Sequence, residues 1–244
     1  MLFSRETIQN RLLPFCGLIA VLTFTASCGS DSNTGGTPTD PGGTNILYQD
    51  DFAGTTLAAV WTASIFGGGG TIGIDTGTGQ PAPSLYIQSD STINSQSLVK
   101  LSQPYSNVGG VSFTIQAQID NPGRADKILD AIRITIHDQG RNGAQAGVTI
   151  HRSQVGSNIV NITYDVYPKY LPQQVKEWNL VLSPGFHEFR YVVYPDGTAK
   201  WFRDGIQRLA TLTGVQMLEA DLELHLNVHG SNAAAHFDNA VVSR

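Results

Sequence analysis

Residues 187–205, HEFRYVVYPDGTAKWFRDG, decide the fold class of this 244-residue chain. Two turn signals divide the segment: Pro195-Asp196-Gly197 in its middle and Asp204-Gly205 at its end. In each signal, an Asp that can hydrogen-bond its own backbone precedes a Gly that adopts positive φ without steric cost. The segment therefore predicts turns that connect antiparallel strands.

Apolar and polar residues alternate in long stretches on both sides of this segment. Successive side chains of a strand point to opposite faces, so each stretch predicts one buried and one solvated face. The stretches are 111–119, 132–137, 148–151, 160–166 and 222–229. Because helical periodicity is nearly absent, we expect residues 46–244 to form one all-β domain, an antiparallel sandwich of two packed sheets.

The first 27 residues have the pattern of a bacterial lipoprotein signal peptide. Arg5 and Arg11 precede an apolar segment, Leu12–Thr25, that is shorter than the about 20 residues a membrane span needs. Thr25-Ala26-Ser27-Cys28 then resembles a lipobox, with Thr25 where a large aliphatic residue is usual. We therefore expect residues 1–27 to be removed and Cys28 to be lipidated, with a plain secretory signal as the alternative.

Residues 28–45 are expected to be a flexible tether between the lipid anchor and the domain. They are rich in Gly, Thr, Pro and Asp and cannot bury enough apolar surface to fold. The predicted location is the bacterial cell envelope, at the outer membrane or cell surface, and the lipid anchor is the only membrane contact expected. Gly29, following Cys28, favours the outer membrane.

Composition excludes several classes of function. The formal net charge is −5 and no basic stripe is present, so nucleic acid is excluded as a partner. The chain has two cysteines. Cys16 would leave with the signal peptide and Cys28 would be acylated, which excludes disulfides, zinc–thiolate sites and cysteine nucleophiles in the domain.

Four segments, taken in order, carry a family resemblance. They are Asp50-Asp51-Phe52 followed by Trp61, residues 101–119, the segment 187–205 and residues 237–242, FDNAVV. They resemble the opening strand, a strand pair, the H-x-Y…PDG…W-Y-x-DG hairpin and the closing strand of the concanavalin A-like lectin/glucanase jelly roll. Laminin-G-like domains and family 16 glycoside hydrolases share that fold. The resemblance implies a jelly-roll sandwich and a polysaccharide or glycan as the partner.

An acidic triplet raises the question of catalysis. Retaining family 16 hydrolases carry a Glu-x-Asp-x-(x)-Glu strand that supplies the nucleophile and the acid/base, and Glu219, Asp221 and Glu223 resemble it. In the family, however, that strand precedes the PDG hairpin, whereas here the triplet follows it. The expected place of the catalytic strand is taken by residues 146–152, which contain no carboxylate. We therefore assign no catalytic residues, and the alternatives are a relocated active site or a ligand-binding role for one carboxylate.

Polar residues on the predicted strands form a candidate glycan-binding set. If their faces belong to one sheet, their planar donors and acceptors would line a groove suited to sugar hydroxyls. One histidine would also serve as the general base of a lyase-like β-elimination, although no stretch matches the signature strands of jelly-roll lyases. The alternative for each histidine alone is a solvated strand residue. The set is Arg133, His137, His151, Asn161, Asp165, His225 and Asn227.

Aromatic residues add to this set. Trp178 is included because an exposed ring can stack on a sugar face, whereas Trp61 and Trp201 are expected in the core. Three further aromatic residues lie around the loop that Pro168 and Pro172 interrupt: Tyr164, Tyr167 and Tyr170.

Calcium is the one metal that the resemblance suggests. Many jelly-roll carbohydrate modules join their first and last strands through one Ca²⁺, which takes six to eight oxygen ligands. Asp51 and Asp238 stand at positions that would serve. The alternative is that these side chains cap turns or face solvent.

The sequence thus favours a surface-anchored lipoprotein whose jelly-roll domain binds carbohydrate without cleaving it. One alternative is a polysaccharide-degrading enzyme, a glycoside hydrolase or lyase with a non-standard site. The other is a structural or adhesion module that recognises protein.

Overall fold

The computed structural model describes residues 45–92, 94–124, 131–138, 143–153, 159–167, 173–211 and 221–244, with the backbone alone for 143–145. The predicted signal peptide, Cys28 and the tether as far as residue 44 lie outside the described residues, as do Tyr170 and Glu219. No helix in the described ranges is long and apolar enough to cross a membrane.

Sixteen strands form the described part of the chain. They are β1 (Ile46–Asp50), β2 (Trp61–Phe66), β3 (Gly70–Asp75), β4 (Ser84–Ser89), β5 (Gln96–Leu101), β6 (Tyr105–Ser106), β7 (Val111–Asn121), β8 (Ile132–Asp138), β9 (Gly143–Arg152), β10 (Ile159–Val166), β11 (Gln173–Val181), β12 (His187–Val193), β13 (Ala199–Arg203), β14 (Ile206–Ala210), β15 (Asp221–His229) and β16 (Ala234–Ser243).

The strands pair into two sheets of eight. The first sheet has the order β14-β13-β12-β7-β16-β4-β3, with β1 also paired to β16. The second has the order β11-β10-β9-β8-β15-β5-β2, with β6 also paired to β15. All of these pairings are antiparallel. The prediction of an all-β, two-sheet antiparallel sandwich is confirmed.

The segment 187–205 forms the predicted hairpin. At the first turn, the Gly197 amide donates to the Tyr194 carbonyl (2.9 Å) and the Thr198 amide donates to Asp196 Oδ1 (2.8 Å). At the second, Asp204 and Gly205 both have positive φ, which a two-residue type I′ turn requires. The Asp204 carboxylate also bonds His187 Nδ1 (2.9 Å), so the two ends of the segment are held together.

The inward faces of both sheets form one hydrophobic core. Strand alternation sends every second side chain into it, and a fully buried large apolar side chain contributes about 1.5–3 kcal/mol. Trp61 and Trp201 are 5% and 1% exposed, which confirms their assignment to the core. The largest fully buried side chains are Trp201, Tyr164, Tyr191, Phe113, Phe189 and Phe237.

A buried polar network ties the two sheets together near one edge. The indole of Trp201 on β13 donates to the Asp165 carbonyl on β10 (3.0 Å). Arg203, also on β13 and 5% exposed, donates to the Tyr164 hydroxyl (3.2 Å) and to Glu177 Oε2 on β11 (2.7 Å). Since β13 belongs to the first sheet and β10 and β11 to the second, these bonds fix the hairpin against the strands that carry the candidate site.

Candidate functional site

Four neighbouring strands of the second sheet, β10, β9, β8 and β15, carry all seven polar residues of the predicted set. The register places Arg133 between Asn227 and Thr149, and pairs His151 with Asn161. Most of the side chains that alternate with these seven are core residues, so the seven share the face of the sheet that points away from the core. We call this surface the polar face; it comprises Arg133, His137, His151, Asn161, Asp165, His225 and Asn227, together with Lys100, Glu223, Lys176 and Trp178.

The polar face is long. A cross-strand row runs from Lys100 on β5 through His225, Thr135 and Gly147 to Asp165 on β10. With about 4.8 Å between neighbouring strands, the five steps from β5 to β11 span about 24 Å. Gly147 lies in the middle of the row and has no side chain to fill it. The face is therefore long enough for an oligosaccharide.

A stacked pair of histidines occupies one end of the polar face. The rings of His137 and His225 lie 4.0 Å apart with 12° between their planes. His225 Nε2 is 3.1 Å from Glu223 Oε2, and Lys100 Nζ is 3.8 Å from the same oxygen. Burial, with the neighbouring His225, lowers the pKa of His137 to about 4, and burial also lowers the pKa of His225. Both rings are therefore neutral at pH 7 and can accept protons or hydrogen bonds.

An arginine and an aspartate occupy the centre of the polar face. Burial lowers the pKa of Arg133, with the Asp165 charge opposing the shift, and burial raises the pKa of Asp165. Gln174 Nε2 donates to Asp165 Oδ1 (2.5 Å), which orients the carboxylate. Arg133 offers a donor fork to a ligand, and Asp165 offers an acceptor that Gln174 orients.

His151 and Trp178 lie towards the far edge. Asn161 Nδ2 is 3.5 Å from His151 Nε2, and Asn161 Oδ1 accepts the Asn179 amide (2.9 Å). The Trp178 side chain on edge strand β11 is 62% exposed, and Lys176 Nζ lies 5.7 Å from its ring centre. Within the described ranges, the buried His151 Nδ1 and Asn227 Oδ1 have no hydrogen-bond partner. His151 on β9 and Asn227 on β15 therefore each carry one buried polar atom that can still bond a polar ligand.

Two carboxylates, Asp165 and Glu223, lie on the polar face, and Asp221 lies beside Glu223 on β15. Asp165 and Glu223 lie three strands and two residues apart, about 16 Å, which is wider than the about 5–9.5 Å between the paired carboxyl groups of glycosidases. Asp221 and Glu223 are two residues apart on one strand, about 7 Å. Glu223, however, is 7% exposed and its carboxylate already contacts His225 and Lys100.

The structure agrees with the expectation for Trp178 and corrects the expectation for Tyr164. Trp178 is exposed as expected. Tyr164 is not a ligand-stacking ring, because it is fully buried and its hydroxyl donates to Glu177 Oε2 (2.9 Å). It belongs to the inward-facing residues of β10, which the alternation of that strand already indicated.

Asp51 and Asp238 lie where the first and last strands pair. Asp238 is fully buried, and its two carboxylate oxygens accept the Gln80 amide (2.6 Å) and the Asn239 amide (2.7 Å). Asp51 Oδ1 accepts the Ala53 amide (3.1 Å), as expected of a turn cap. Burial raises the pKa of Asp238, and the charges of Asp51 and Asp50 raise it further. A cation would relieve that repulsion, so the negative charge of these aspartates suits a calcium ion.

Within the described ranges, no three His, Cys, Asp or Glu side chains are grouped so that they could hold a metal ion. The assignment of calcium to Asp51 and Asp238 stays a prediction.

Sequence reasoning missed two basic residues of the polar face, Lys100 and Lys176. Their outward positions on β5 and β11 are visible in the alternation of those strands, but the sequence does not show that β5 and β11 belong to the same sheet as β8 and β9. It also missed His236, which lies on the first sheet between Asp75 and Asp120.

The fold is that of a concanavalin A-like jelly roll. The chain is similar to the carbohydrate recognition domain of Emp47p (TM-score 0.58, 12% identity, covering 83% of this chain and 98% of that one). It is also similar to the CBM2 module of the evolved Dit of Lactobacillus casei BL23 phage J-1 (TM-score 0.56, 11% identity, 81% and 94%). A third similar structure is the endo-β-1,4-glucuronan lyase of the fungus Trichoderma reesei (TM-score 0.54, 13% identity, 81% and 95%).

At the level of sequence, no protein-family model and no curated protein matches the chain. The structural likeness therefore establishes the fold alone.

Proposed function

We propose that this protein binds an oligosaccharide or polysaccharide chain along the polar face and does not cleave it. The observation that carries the proposal is the polar face, where planar and charged side chains from six neighbouring strands share one surface and the exposed ring of Trp178 lies at its edge. Two of the similar structures, the carbohydrate recognition domain and the CBM2 module, are carbohydrate-binding domains by name. Their likeness supports carbohydrate as the ligand class.

Each part of the polar face has a place in binding. Arg133, Asn161 and Asn227 supply donors and acceptors for sugar hydroxyls, and Trp178 supplies an apolar face for the C–H side of a sugar ring. Because the face spans about 24 Å, affinity is expected to rise with the length of the oligosaccharide until the row is filled.

The test is binding of the full chain, purified in detergent, to a broad glycan panel. Lys176→Gln and Lys200→Gln form a matched pair, because each lysine lies over an aromatic ring, Trp178 on the second sheet and Tyr194 on the first. Lys176→Gln is expected to weaken glycan binding and Lys200→Gln to leave it unchanged. No binding to any glycan, or equal loss in both variants, would contradict the proposal.

The protein would act at the cell envelope. Cys28, with the tether that follows it, would anchor the domain to the outer membrane or cell surface through its acyl chains, each buried CH₂ contributing about 0.8 kcal/mol. The sequence around Cys28 supports this location.

A second candidate function is enzymatic cleavage of a polysaccharide, and the histidine pair favours it. His137 and His225 are neutral, partly buried and beside Glu223, and ionisable groups with shifted pKa values in a cluster are common at catalytic sites. A neutral imidazole would take the proton α to a uronate carboxyl group. The bond to the glycosidic oxygen would break as a C=C bond forms, and the imidazolium would return the proton to the leaving oxygen.

Product analysis separates the two functions. Release of unsaturated sugars or new reducing ends, lost in both His225→Gln and Glu223→Gln, would establish the enzyme. Tight binding of the intact polysaccharide with neither product would establish the binding protein.

A further inference from the structure

A second polar cluster lies on the outer face of the first sheet, on the opposite side of the sandwich from the polar face. Its residues come from four strands that are neighbours in the sheet, β3, β4, β16 and β7. The register pairs Gly73 with Tyr86 and Tyr86 with His236. Asp75 and Asp120 complete it, and we call these five residues the clamp site.

The clamp site takes its name from the way His236 is held. His236 Nδ1 lies 2.6 Å from Asp120 Oδ2, and Nε2 lies 2.9 Å from Asp75 Oδ2. A ring that donates from both nitrogens carries a positive charge. Burial lowers the pKa of His236, but the two aspartates together outweigh burial and raise it overall. The Tyr86 ring packs on the imidazole, with 4.8 Å between centroids. Two carboxylates, one imidazolium and one phenol ring are thereby fixed relative to each other.

A cavity of about 530 Å³ opens over this cluster. This volume lies within the about 300–1,000 Å³ of small-ligand sites. The cavity is lined by Thr71, Gly73, Ile74, Asp75, Tyr86, Asp120 and His236.

Gly73 keeps the cavity open beside the Tyr86 ring. A Cβ atom placed on Gly73 would meet nothing within 4 Å, so no neighbouring atom requires a glycine there. Glycine weakens a strand interior because it loses more conformational freedom on folding than other residues. The bare position leaves the Tyr86 ring uncovered on the side of β3.

The carboxylates at the rim still have acceptor capacity. Asp75 Oδ1 accepts the Gly77 amide (2.8 Å) and Asp120 Oδ1 accepts Gln118 Nε2 (3.0 Å). Each carboxylate oxygen has about two lone-pair positions, so both aspartates can still accept from a ligand. Their side chains are 39% and 27% exposed.

We propose that the clamp site is a second ligand-binding site, which takes one or two residues of an uncharged saccharide. Tyr86, left uncovered by Gly73, forms a platform for the C–H face of a sugar ring, and Asp75 and Asp120 accept hydrogen bonds from its hydroxyls. Two aspartates and one imidazolium leave one net negative charge, which disfavours uronates and other anions. The site is independent of the proposed function of the polar face, and two sites on opposite sheets would let one molecule hold two glycan chains.

The test fills the cavity with a side chain at position 73. Gly73→Leu would place a branched side chain beside the Tyr86 ring from a position whose Cβ atom meets no neighbour within 4 Å. Gly73→Ala is the matched control that leaves most of the ring uncovered. The probes are uncharged oligosaccharides of glucose, galactose, mannose and N-acetylglucosamine, with an oligouronate beside them. Binding to the full chain is followed through the NMR signals of the His236 ring and by calorimetry.

An uncharged saccharide is expected to shift the His236 signals in the wild type and in Gly73→Ala. In Gly73→Leu its affinity is expected to fall about tenfold or more, the equivalent of about 1.4 kcal/mol, with the melting temperature preserved. Arg133→Gln on the polar face should leave these shifts intact.

The proposal is overturned if no uncharged sugar moves the His236 signals, if Gly73→Leu binds as well as the wild type, or if the oligouronate is preferred here. None of these results bears on the polar face, because binding to the polar face is measured separately with Lys176→Gln. Failure of the two proposals is therefore distinguishable.

Discussion

The lowered pKa of His137 makes the stability of the protein depend on pH in a predictable direction. Its pKa falls from 6.5 in the unfolded chain to about 4 in the folded one. The unfolded chain therefore binds a proton that the folded chain rejects between these values. The contribution is fully present above pH 6.5 and is lost as the pH falls towards 4.

The magnitude follows from the shift. A shift of about 2.5 units at about 1.36 kcal/mol per unit gives an upper value of about 3.4 kcal/mol. The ring is partly exposed and coupled to His225, so solvent screening reduces this to about 1–2 kcal/mol. Between about pH 7 and about pH 4.5, the free energy of unfolding should therefore fall by about 1–2 kcal/mol more in the wild type than in His137→Gln.

The assay is urea denaturation of both proteins at the two pH values. Both proteins contain the same carboxylates, so the pH dependence of those groups cancels when the two proteins are compared. His236→Gln is a control of opposite sign. Because the pKa of His236 is raised, its stabilisation is present below pH 6.5 and is lost as the pH rises through the folded value. Equal pH dependence of the wild type and His137→Gln would refute the reasoning.

Four further outcomes are expected. Glu177→Gln removes the carboxylate that lies 2.7 Å from the buried Arg203 and should cost about 3 kcal/mol in urea denaturation. Arg203→Met in the same chain should recover part of that loss, and no recovery would contradict the pairing. Calcium at about 100 times its Kd should raise the free energy of unfolding by about 2.7 kcal/mol; a rise that persists in Asp238→Asn would place the ion elsewhere. Trp178→Ala should weaken glycan binding by about 5–10-fold while changing stability by less than about 0.5 kcal/mol; an unchanged affinity would remove Trp178 from the site. Labelled palmitate should be incorporated into the wild type and absent from Cys28→Ser, and label in both would exclude Cys28 as the acylated residue.

The fold was accessible from the sequence because strand alternation is a local signal. Ile132, Ile134 and Ile136 alternate with polar residues, and all three are buried in the core. The turn at Asp204-Gly205 needs only its own two residues to be recognised. Patterns of this kind fix which side chains face outward, and they do so strand by strand.

The composition of the sites depends on which strands become neighbours, and that information is not local. His137 and His225 are 88 positions apart in the sequence, and their stacking arises because β8 pairs with β15. His236 is separated from Asp120 by 116 residues and from Asp75 by 161. Before the order of the strands in the first sheet is known, nothing in the residues around His236 indicates that two carboxylates hold it.

The three tryptophans give the molecule a built-in spectroscopic reporter. Trp178 is open to water, whereas Trp61 and Trp201 are enclosed and their indole nitrogens donate to Asp50 and to the Asp165 carbonyl. Iodide in solution should quench the emission of Trp178 selectively. A carbohydrate chain lying across β11 would protect that emission, so occupancy of the polar face can be followed in the unlabelled protein with a fluorimeter.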